Sequence, residues 1–351
     1  MHPIHLLCMQ FFMGDGSLDI GHAVASTIAT KMVESAELAL LTHQEGRRCT
    51  NDDLLAYGLQ FRSFLHACPN IFSGLTRLKL ENLRLGESDF TKVFSLSKRL
   101  EFLCLFNCFA GILSVLEVEH QQLRELEIFS CDLERVDLNW LPNLTNLTFS
   151  CWASHHDLLS FGYVPLLQAV TLSNTAVSWH KMLKLSEILG NATISELHLN
   201  FESEKIWVKP KGPRELSKVF HKLRLVNLAD ISEECDLAWT LFVLQGAPSL
   251  KELCLMVSNR CEMTWDKEGR KEFEFSEDKK DAGLEWETSF KHHNLAVLRI
   301  FGFQFEEKFV NYVQFVMESA VNLKDIYLYE RPICETCMNK KQKDRYPWAK
   351  K

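Results

Sequence analysis

The stretch LRELEIFSCDL, residues 123–133, decides the fold class of this chain. It places Leu123, Leu126 and Ile128 in the spacing L-x-x-L-x-L, and Cys131 follows three residues later. In a strand, successive side chains point to opposite faces, so Leu126 and Ile128 share a face that must be buried. The stretch therefore predicts a short strand with one apolar face, followed by a turn.

The same spacing recurs along the chain, and this recurrence carries the fold prediction. The other copies begin at Leu75, Leu100, Leu144, Leu167, Ile194, Leu223, Leu250, Leu295 and Leu323. Successive copies start 21 to 29 residues apart, apart from one spacing of 45 residues. Repeats of about 20–29 residues, each with one strand and a return segment, are typical of leucine-rich repeats. We therefore predict an α/β leucine-rich-repeat solenoid, with a curved parallel sheet and with helices and turns on the convex side.

The net charge and the hydrophobic pattern of the chain indicate which classes of molecule it is expected to bind. The chain has 351 residues, of which 46% are hydrophobic and 24% are charged, as in an ordinary globular protein. A net charge of -7 argues against a general nucleic-acid binder, because binding phosphates needs a clustered basic face. No apolar run is long enough to span a membrane. We expect neither nucleic acid nor membrane as a partner.

The repeat pattern divides the chain into five segments. We predict an N-terminal cap with a first irregular repeat over 1–74, leucine-rich repeats over 75–257, a charged insert over 258–290, terminal repeats over 291–333 and a basic tail over 334–351. Within the cap we predict a strand over 4–13, in preference to a secretory signal, since no basic residues precede the apolar run. A helix over 19–41 running into the first repeat, and a polar loop over 42–53, should follow.

Return segments should contain turns or helices. In the short repeats there is room only for a turn or a brief helix, such as one over 87–94. Ser178 is expected to cap a helix through Leu189, and Asp236 one through Gln245. The clearest amphipathic helix spans 306–320, with an apolar face that includes Met317.

The insert and the tail are both charged. Residues 260–287 contain ten acidic and six basic side chains, and six of the last twelve residues are basic. We predict that the insert is a solvated excursion, with partner contact as the alternative, and that the tail is a mobile segment, with nuclear import or binding of an acidic partner as the alternative.

Strand alternation also predicts which side chains form the open face of the sheet. The open-face side chains that we expect to bind a protein are Phe102, Phe106, Glu125, Glu127, Phe129, Glu196, His198, Arg299, Phe301, Tyr327 and Tyr329. Glu196 and His198 should lie within hydrogen-bonding distance of each other. Aromatic anchors surrounded by charge are typical of binding hot spots. The sequence therefore favours recognition of a protein.

No pattern points to catalysis, a cofactor or a metal. The sequence lacks a nucleophile elbow, a phosphate loop, an H-E-x-x-H helix and a dinucleotide fingerprint. Cys334 and Cys337 have zinc-like spacing, but His292 and His293, the nearest candidates for completing four ligands, lie about forty residues away. We expect neither an enzyme nor a metal site.

The twelve cysteines show no disulfide framework, which favours a reduced compartment, the cytoplasm or the nucleus. Cys108 and Cys131 follow their strands at the repeat position that usually holds asparagine or cysteine. A small polar side chain there can hydrogen-bond to the buried backbone of the turn. The N-x-T sequons at Asn143, Asn146 and Asn191 would matter only on the secretory route. A structural role is expected for the two cysteines, and no glycans for the three asparagines.

Two C-terminal blocks carry a family resemblance. FKHHNLAVLRIFGF, residues 290–303, and FVNYVQFVMESAVNL, residues 309–323, resemble the FBD-type region of plant F-box/leucine-rich-repeat proteins. GLTRLKLENL, residues 74–83, and RLEFLCLFNC, residues 99–108, look like earlier repeats of the same family. The resemblance implies that the repeats recognise substrates for a cullin-type ubiquitin ligase. No L-P-D-x-(I/V)-L F-box motif precedes the repeats, so Skp adaptor and cullin are expected partners only if an F-box lies outside this chain.

These observations leave three functions open. The first is binding of a target protein on the concave face, as the substrate-recognition part of a ligase. The second is a repeat-only adaptor, or a decoy that occupies substrates without delivering them. The third is a receptor-like domain that binds a ligand; it would require either glycosylation on the secretory route or a deep apolar pocket.

Overall fold

The computed structural model describes residues 4–14, 16–30, 33–44, 46–111, 114–152, 158–174, 182–190, 192–202, 206–232, 235–258 and 290–330. Within these ranges no helix is long and apolar enough to cross a membrane. The chain forms two compact units, the first with Met1–Val170 and Ile188–Ala192, the second with Thr171–Glu187 and Thr193–Lys351. The insert 260–287, Cys334, Cys337 and the basic tail lie outside the described residues.

The first unit begins with two parallel strands and a helix between them. These are β1 (Ile4–Phe12), α1 (Ser17–Thr30) and β2 (Val33–Leu41). The predicted first strand is confirmed. The predicted helix over 19–41 is wrong beyond Thr30, because Ala36, Leu38 and Leu40 alternate with less buried residues and are buried as strand residues. The period of two in this segment outweighs its helix-forming residues.

Two further helices, α2 (Asn51–Ala67) and α3 (Pro69–Gly74), precede the first repeat. The loop predicted over 42–53 therefore ends at Thr50, whose side chain accepts a hydrogen bond from the Asp53 amide in a capping box. Phe61 and Phe64 of α2 are fully buried. A threonine followed three residues later by an acidic residue is typical of a helix start, although the polar composition of this segment favours a loop.

The repeats of the first unit supply one parallel sheet. Its strands lie in the order β1, β2, β3, β4, β6 and β8. The repeat elements are β3 (Arg77–Glu81), α4 (Glu87–Leu96), β4 (Phe102–Phe106), β6 (Glu125–Phe129) and β8 (Asn146–Ser150). Leu126 and Ile128 of β6 have no exposed surface, as the repeat pattern predicted. The brief helix predicted over 87–94 is confirmed and continues to Leu96.

A second sheet of three parallel strands lies in the return segments of the first unit. It contains β5 (Val115–Glu119), β7 (Arg135–Trp140) and β9 (Leu159–Tyr163). The prediction that these segments hold only turns or a brief helix is wrong. Each return segment has an inward apolar side chain at every second position, for example Val136 and Leu138 in β7, and neighbouring segments satisfy each other's backbone groups.

The second unit contains the remaining repeats. Its strands are β11 (Glu196–Asn200), β12 (Leu225–Ser232), β13 (Glu252–Ser258), β14 (Val297–Phe303) and β15 (Asp325–Glu330), paired in parallel in chain order. The unit boundary falls within β10 (Ala169–Ser173). All ten predicted repeats thus contain a strand, and the α/β leucine-rich-repeat solenoid is confirmed. Leu328 of β15 departs from the inward pattern, being 41% exposed, because no described strand follows β15.

Four helices fill the return segments that are described in the second unit. They are α5 (Leu185–Ile188), α6 (Pro213–Phe220), α7 (Leu241–Gly246) and α8 (Glu307–Ser319). Asp236 caps its helix as predicted, accepting from the Ala238 amide, although the first turn, Leu237–Thr240, is a 3₁₀ helix. The helix predicted from Ser178 begins only at Leu185 among the described residues, and Ser178 itself lies outside them.

The predicted amphipathic helix over 306–320 is confirmed as α8. Met317 was placed on its apolar face, but it is 57% exposed. Tyr312 is buried instead, and its hydroxyl oxygen accepts a hydrogen bond of 2.7 Å from Thr240. A tyrosine can be buried when its polar end has a partner, which hydropathy alone does not show.

Six repeats have a left-handed residue at the same repeat position, which directly follows the strand in four repeats and lies within β12 and β14 in the other two. The residues with positive φ at this position are Asn82, Asn107, Ser130, Cys151, Asp230 and Gly302. Cys108 and Cys131 follow two of these residues, and each thiol lies within 3.7 Å of two backbone carbonyl oxygens. Burial raises the pKa of Cys108 well above its ordinary value. The structural role predicted for both cysteines is confirmed.

Candidate functional site

The open face of the first unit carries five of the predicted site residues. Phe102 and Phe106 lie on β4, and Glu125, Glu127 and Phe129 lie on β6. All five are half-buried. The register pairs Phe102 with Glu125 and Phe106 with Phe129, so the structure brings these side chains together as two adjacent rows.

Phe102 has a cationic neighbour on the other side. The guanidinium carbon of Arg77 lies 3.8 Å from the centroid of the Phe102 ring, and Arg77 also pairs with Glu37 at 3.6 Å. A cation held over an aromatic face restricts both side chains without covering the ring edge. Arg77 therefore belongs to this site, and the signal that could have identified it is its register with Phe102 on the neighbouring strand.

Glu127 is coupled to a buried thiol. Cys104 on β4 is in register with Glu127, and burial together with the Glu127 carboxylate raises the pKa of Cys104 to about 12. Lys79 opposes this shift from β3. The centre of the face is therefore a neutral thiol with a carboxylate on one side and an ammonium group on the other.

Phe106 is fixed by the loop after β2. A Cβ atom on Gly46 would lie 2.7 Å from the Phe106 ring, so the ring packs directly on that backbone. Asn107 donates hydrogen bonds to the Gly46 carbonyl oxygen and to Asn82 Oδ1, at 3.2 and 2.5 Å. The loop therefore holds one end of the phenylalanine row in place.

In the second unit, Glu196 and His198 lie on the open face of β11. The predicted hydrogen bond between them is absent, because His198 Nε2 and Glu196 Oε2 are 3.8 Å apart. That separation allows an ion pair when His198 is protonated. The next strand presents Asn227 in register with His198, and no described residue hydrogen-bonds to its buried Oδ1.

The other four predicted residues form one continuous group on β14 and β15. Phe301 stacks on Tyr329 with ring centroids 4.6 Å apart, and Tyr327 lies parallel to Tyr329 at 6.4 Å. Arg299 lies 4.4 Å from the Tyr327 ring centroid. The two tyrosines remain 38% and 42% exposed. This stack of rings offers a broad apolar surface that is already ordered before any partner binds.

Arg299 also contacts β13. Its Nε donates to Glu252 Oε1 at 2.6 Å, and this hydrogen bond is the largest cause of the raised pKa of Arg299. The role of Glu252 in positioning Arg299 depends on the pairing of β13 with β14, which brings two residues 47 positions apart into diagonal contact.

His292, named above as a nearest candidate for completing a zinc site with Cys334 and Cys337, binds backbone groups instead. Nε2 lies 3.0 Å from the Ala247 carbonyl oxygen, and Nδ1 accepts from the amides of Asn294 and Leu295. Both ring nitrogens are therefore engaged by backbone. Among the described residues, no group of three or more His, Cys, Asp or Glu side chains could hold a metal ion.

A groove of about 760 Å³ lies on the helical side of the second unit. Its lining includes Leu241, Tyr312 and Phe315, with Asp236 and Glu307 among its polar residues. The groove contains none of the predicted site residues.

A comparison with known protein families agrees with the repeat strands. Residues 55–351 match the family model described as the At1g61320/AtMIF1 LRR domain. The chain belongs to this At1g61320/AtMIF1 leucine-rich-repeat family. No curated protein matches the chain.

Membership of the At1g61320/AtMIF1 family supports a protein-interaction module, since leucine-rich-repeat domains bind proteins and are generally non-catalytic. The family description does not mention an F-box or an FBD region. The more specific resemblance therefore stays a prediction.

Proposed function

We propose that this chain recognises a target protein through the open face of its repeats. The observation that carries this proposal is the ordered stack of Phe301, Tyr329 and Tyr327 beside Arg299. Tyrosine and arginine are enriched at the energetic centres of protein interfaces. Because these rings already hold each other in place, binding would order few additional side chains.

The phenylalanine rows of the first unit support the same proposal. Phe102, Phe106 and Phe129 are half-buried, with Arg77 and Glu125 beside them. Apolar anchors surrounded by charges of both signs suit a protein surface better than a small molecule. The Cys104 thiol beside Glu127 is kept neutral by its raised pKa, and the thiolate is the nucleophilic form, so the proposal includes no catalysis.

The resemblance to F-box/leucine-rich-repeat proteins extends the proposal. In this extension the chain selects substrates for a cullin-type ubiquitin ligase in the cytoplasm or nucleus, with Skp adaptor and cullin reached through an F-box outside this chain. The alternative is a repeat-only adaptor or decoy, which also binds a target protein. A ligase subunit would lead to ubiquitination of the bound target, whereas an adaptor or decoy would not.

The test is affinity purification from plant cell extract with three forms of the chain. The intact chain is compared with Phe102→Ala/Phe106→Ala/Phe129→Ala and with Tyr327→Ala/Tyr329→Ala. Because the phenylalanines are half-buried, the melting temperature of each variant is measured first. The control is Lys222→Ala/Lys324→Ala, which changes exposed side chains outside the proposed site.

A target that is lost with either aromatic variant, and retained with the control, supports open-face recognition. Retention of every bound protein by both aromatic variants, with unchanged melting temperatures, contradicts it. Skp adaptor and cullin in the intact-chain sample, together with ubiquitinated target, support the ligase extension. A target bound without either component favours the adaptor or decoy.

A receptor-like function is the remaining alternative, and the groove of about 760 Å³ is the observation in its favour. Glycosylation on the secretory route has a structural cost at Asn143, whose side-chain amide donates to the Gln121 carbonyl oxygen at 2.9 Å. That bond would have to break. Mass spectrometry that finds glycans at Asn143 or Asn146 would favour this alternative.

A further inference from the structure

The second sheet of the first unit presents two exposed aromatic side chains that the open face does not use. Trp140 at the end of β7 is 44% exposed, and Tyr163 at the end of β9 is 55% exposed. The two residues are in register on neighbouring parallel strands, about 4.8 Å apart along the sheet. Large aromatic rings exposed side by side form a compact apolar surface.

A register shift places Trp140 on this surface. Val118 pairs with Leu138, but the next residue, Glu119, pairs with Trp140, so Asn139 has no partner on β5. By simple alternation Trp140 would share the inward direction of Leu138, which is fully buried. The extra residue turns it outward beside Glu119. Bulges of this kind often redirect one side chain near a functional surface.

The neighbouring strand contributes to the same arrangement. A Cβ atom on Gly162 of β9 would lie 2.4 Å from the carbonyl oxygen of Asn139. Only glycine therefore allows β9 to approach the irregular part of β7 so closely. The bulge in β7 and the glycine in β9 act together to bring Tyr163 beside Trp140.

The charge next to these rings is negative. Glu117 and Glu119 are exposed on β5, and Glu119 is in register with Trp140. Neither carboxylate forms an ion pair with another described residue. By contrast, Asp137 on the same face is bound by Arg135 through two hydrogen bonds of 2.7 and 2.8 Å. The surface thus has two carboxylates available for a cation.

We propose that Glu117, Glu119, Trp140 and Tyr163 form a second docking surface, which binds an arginine-bearing extended segment of a partner protein. A guanidinium group can stack on an indole or phenol face while it hydrogen-bonds to a carboxylate. Alternating residues of an extended segment would reach successive positions along the strands. This surface is separate from the open face, so the inference does not depend on the proposed function.

The test uses the full chain and a fluorescein-labelled heptapeptide with arginine at alternate positions. Two matched heptapeptides carry glutamine or lysine instead of arginine. Binding is measured by fluorescence anisotropy at about 0.15 M salt, where weak long-range attraction is screened. We expect the arginine peptide to bind about tenfold more tightly than the glutamine peptide. It should also bind more tightly than the lysine peptide, because a planar guanidinium can lie flat on a ring while it hydrogen-bonds to a carboxylate, whereas an ammonium group is a compact, strongly hydrated charge.

Variants locate the binding. Trp140→Ala should weaken binding of the arginine peptide about fivefold to tenfold, and Glu117→Gln/Glu119→Gln by a similar factor. Asp52→Asn/Glu307→Gln removes the same charge from exposed positions elsewhere and should leave binding unchanged. Far-ultraviolet circular dichroism verifies that each variant is folded.

Three outcomes would overturn the proposal. The first is equal binding of the arginine and glutamine peptides. The second is that the Asp52/Glu307 control weakens binding as much as the Glu117/Glu119 pair, or that Trp140→Ala has no effect, since attraction would then be unspecific. The third is a concentration-dependent dimer in sedimentation velocity that Trp140→Ala abolishes, which would identify a second copy of the chain as the occupant.

Discussion

His292 is hydrogen-bonded to the carbonyl oxygen of Ala247, with its ring nitrogen Nε2 at 3.0 Å from that oxygen. Its other nitrogen, Nδ1, accepts from the amide of Leu295, the first residue of the next repeat pattern. His120 has the same position relative to Leu123, with Nε2 at 2.8 Å from the Ser97 carbonyl oxygen. In each case a buried neutral imidazole connects one return segment to the start of a strand.

These imidazoles should make the stability of the protein depend on pH. Burial is the largest cause that lowers the pKa of both histidines, and Lys98 and His293 respectively add to it. The hydrogen bonds to the Ser97 and Ala247 carbonyl oxygens oppose this shift only in part, and none of the described groups that shift either pKa is a carboxylate. As pH falls below the ordinary histidine value of 6.5, the unfolded chain takes up protons that the folded chain does not, and stability decreases.

The measurement is the urea midpoint between pH 7.5 and about pH 5, above the range in which carboxylates titrate. The midpoint should fall with decreasing pH, and His120→Gln/His292→Gln should fall less steeply, although from a lower starting value. The exposed pair His66→Gln/His221→Gln is the control. An identical slope in the buried-histidine variant and the intact chain would contradict the assignment.

The strand register can be tested at adjacent residues of β6. Leu126 has no exposed surface, so Leu126→Asp would bury an unpaired carboxylate and should cost more than about 4 kcal/mol, enough to unfold the first unit. Glu127 points to the open face, and Glu127→Lys should change stability by less than about 1 kcal/mol. Thermal unfolding followed by circular dichroism checks both. Similar melting temperatures for the two variants would show that the register is wrong.

Gly302 should be intolerant of substitution. Its φ is +79°, and a Cβ atom would lie 2.0 Å from the Val257 carbonyl oxygen on β13. Gly302→Ala should therefore lower the free energy of unfolding by more than about 2 kcal/mol and disturb the adjacent Phe301–Tyr329 stack. Gly212→Ala, where nothing lies within 4 Å, should cost only about 1 kcal/mol or less, because alanine is a poorer N-cap than glycine for the following helix. Chemical denaturation of the two variants provides the comparison, and equal costs would argue against the observed turn.

The cysteines should differ strongly in reactivity. With a pKa of about 12, only about one Cys104 thiol in ten thousand is ionised at pH 8, and the thiolate is the reactive form. Iodoacetamide should therefore modify the exposed Cys8 well before Cys104, as followed by peptide mass spectrometry. Glu127→Gln removes a cause of the raised pKa and should speed labelling of Cys104 without changing that of Cys8. Labelling of Cys104 as fast as Cys8 in the intact chain would refute its burial.

Much of the candidate site could be read from the repeat pattern. Alternation placed Phe102, Glu125 and Tyr327 on the open face, because a strand with one buried face has only one register that hides its leucines. Alternation could not show which open-face residues touch each other. The contact of Arg299 with Glu252 depends on the pairing of β13 with β14. These strands belong to the two repeats that start 45 residues apart, so the sequence pattern is least regular between them.

The repeat strands, the direction of their leucines and the cap at Asp236 follow from the amino-acid sequence alone. These features depend on local periodicity and on side chains that are neighbours in the chain. The second sheet, the outward turn of Trp140 and the backbone contacts of His120 and His292 do not follow from the sequence and are seen only in the folded chain. Each of these features depends on which segment, distant in the sequence, hydrogen-bonds to a given backbone group or packs on a given ring. Packing and hydrogen bonding between repeats determine that segment.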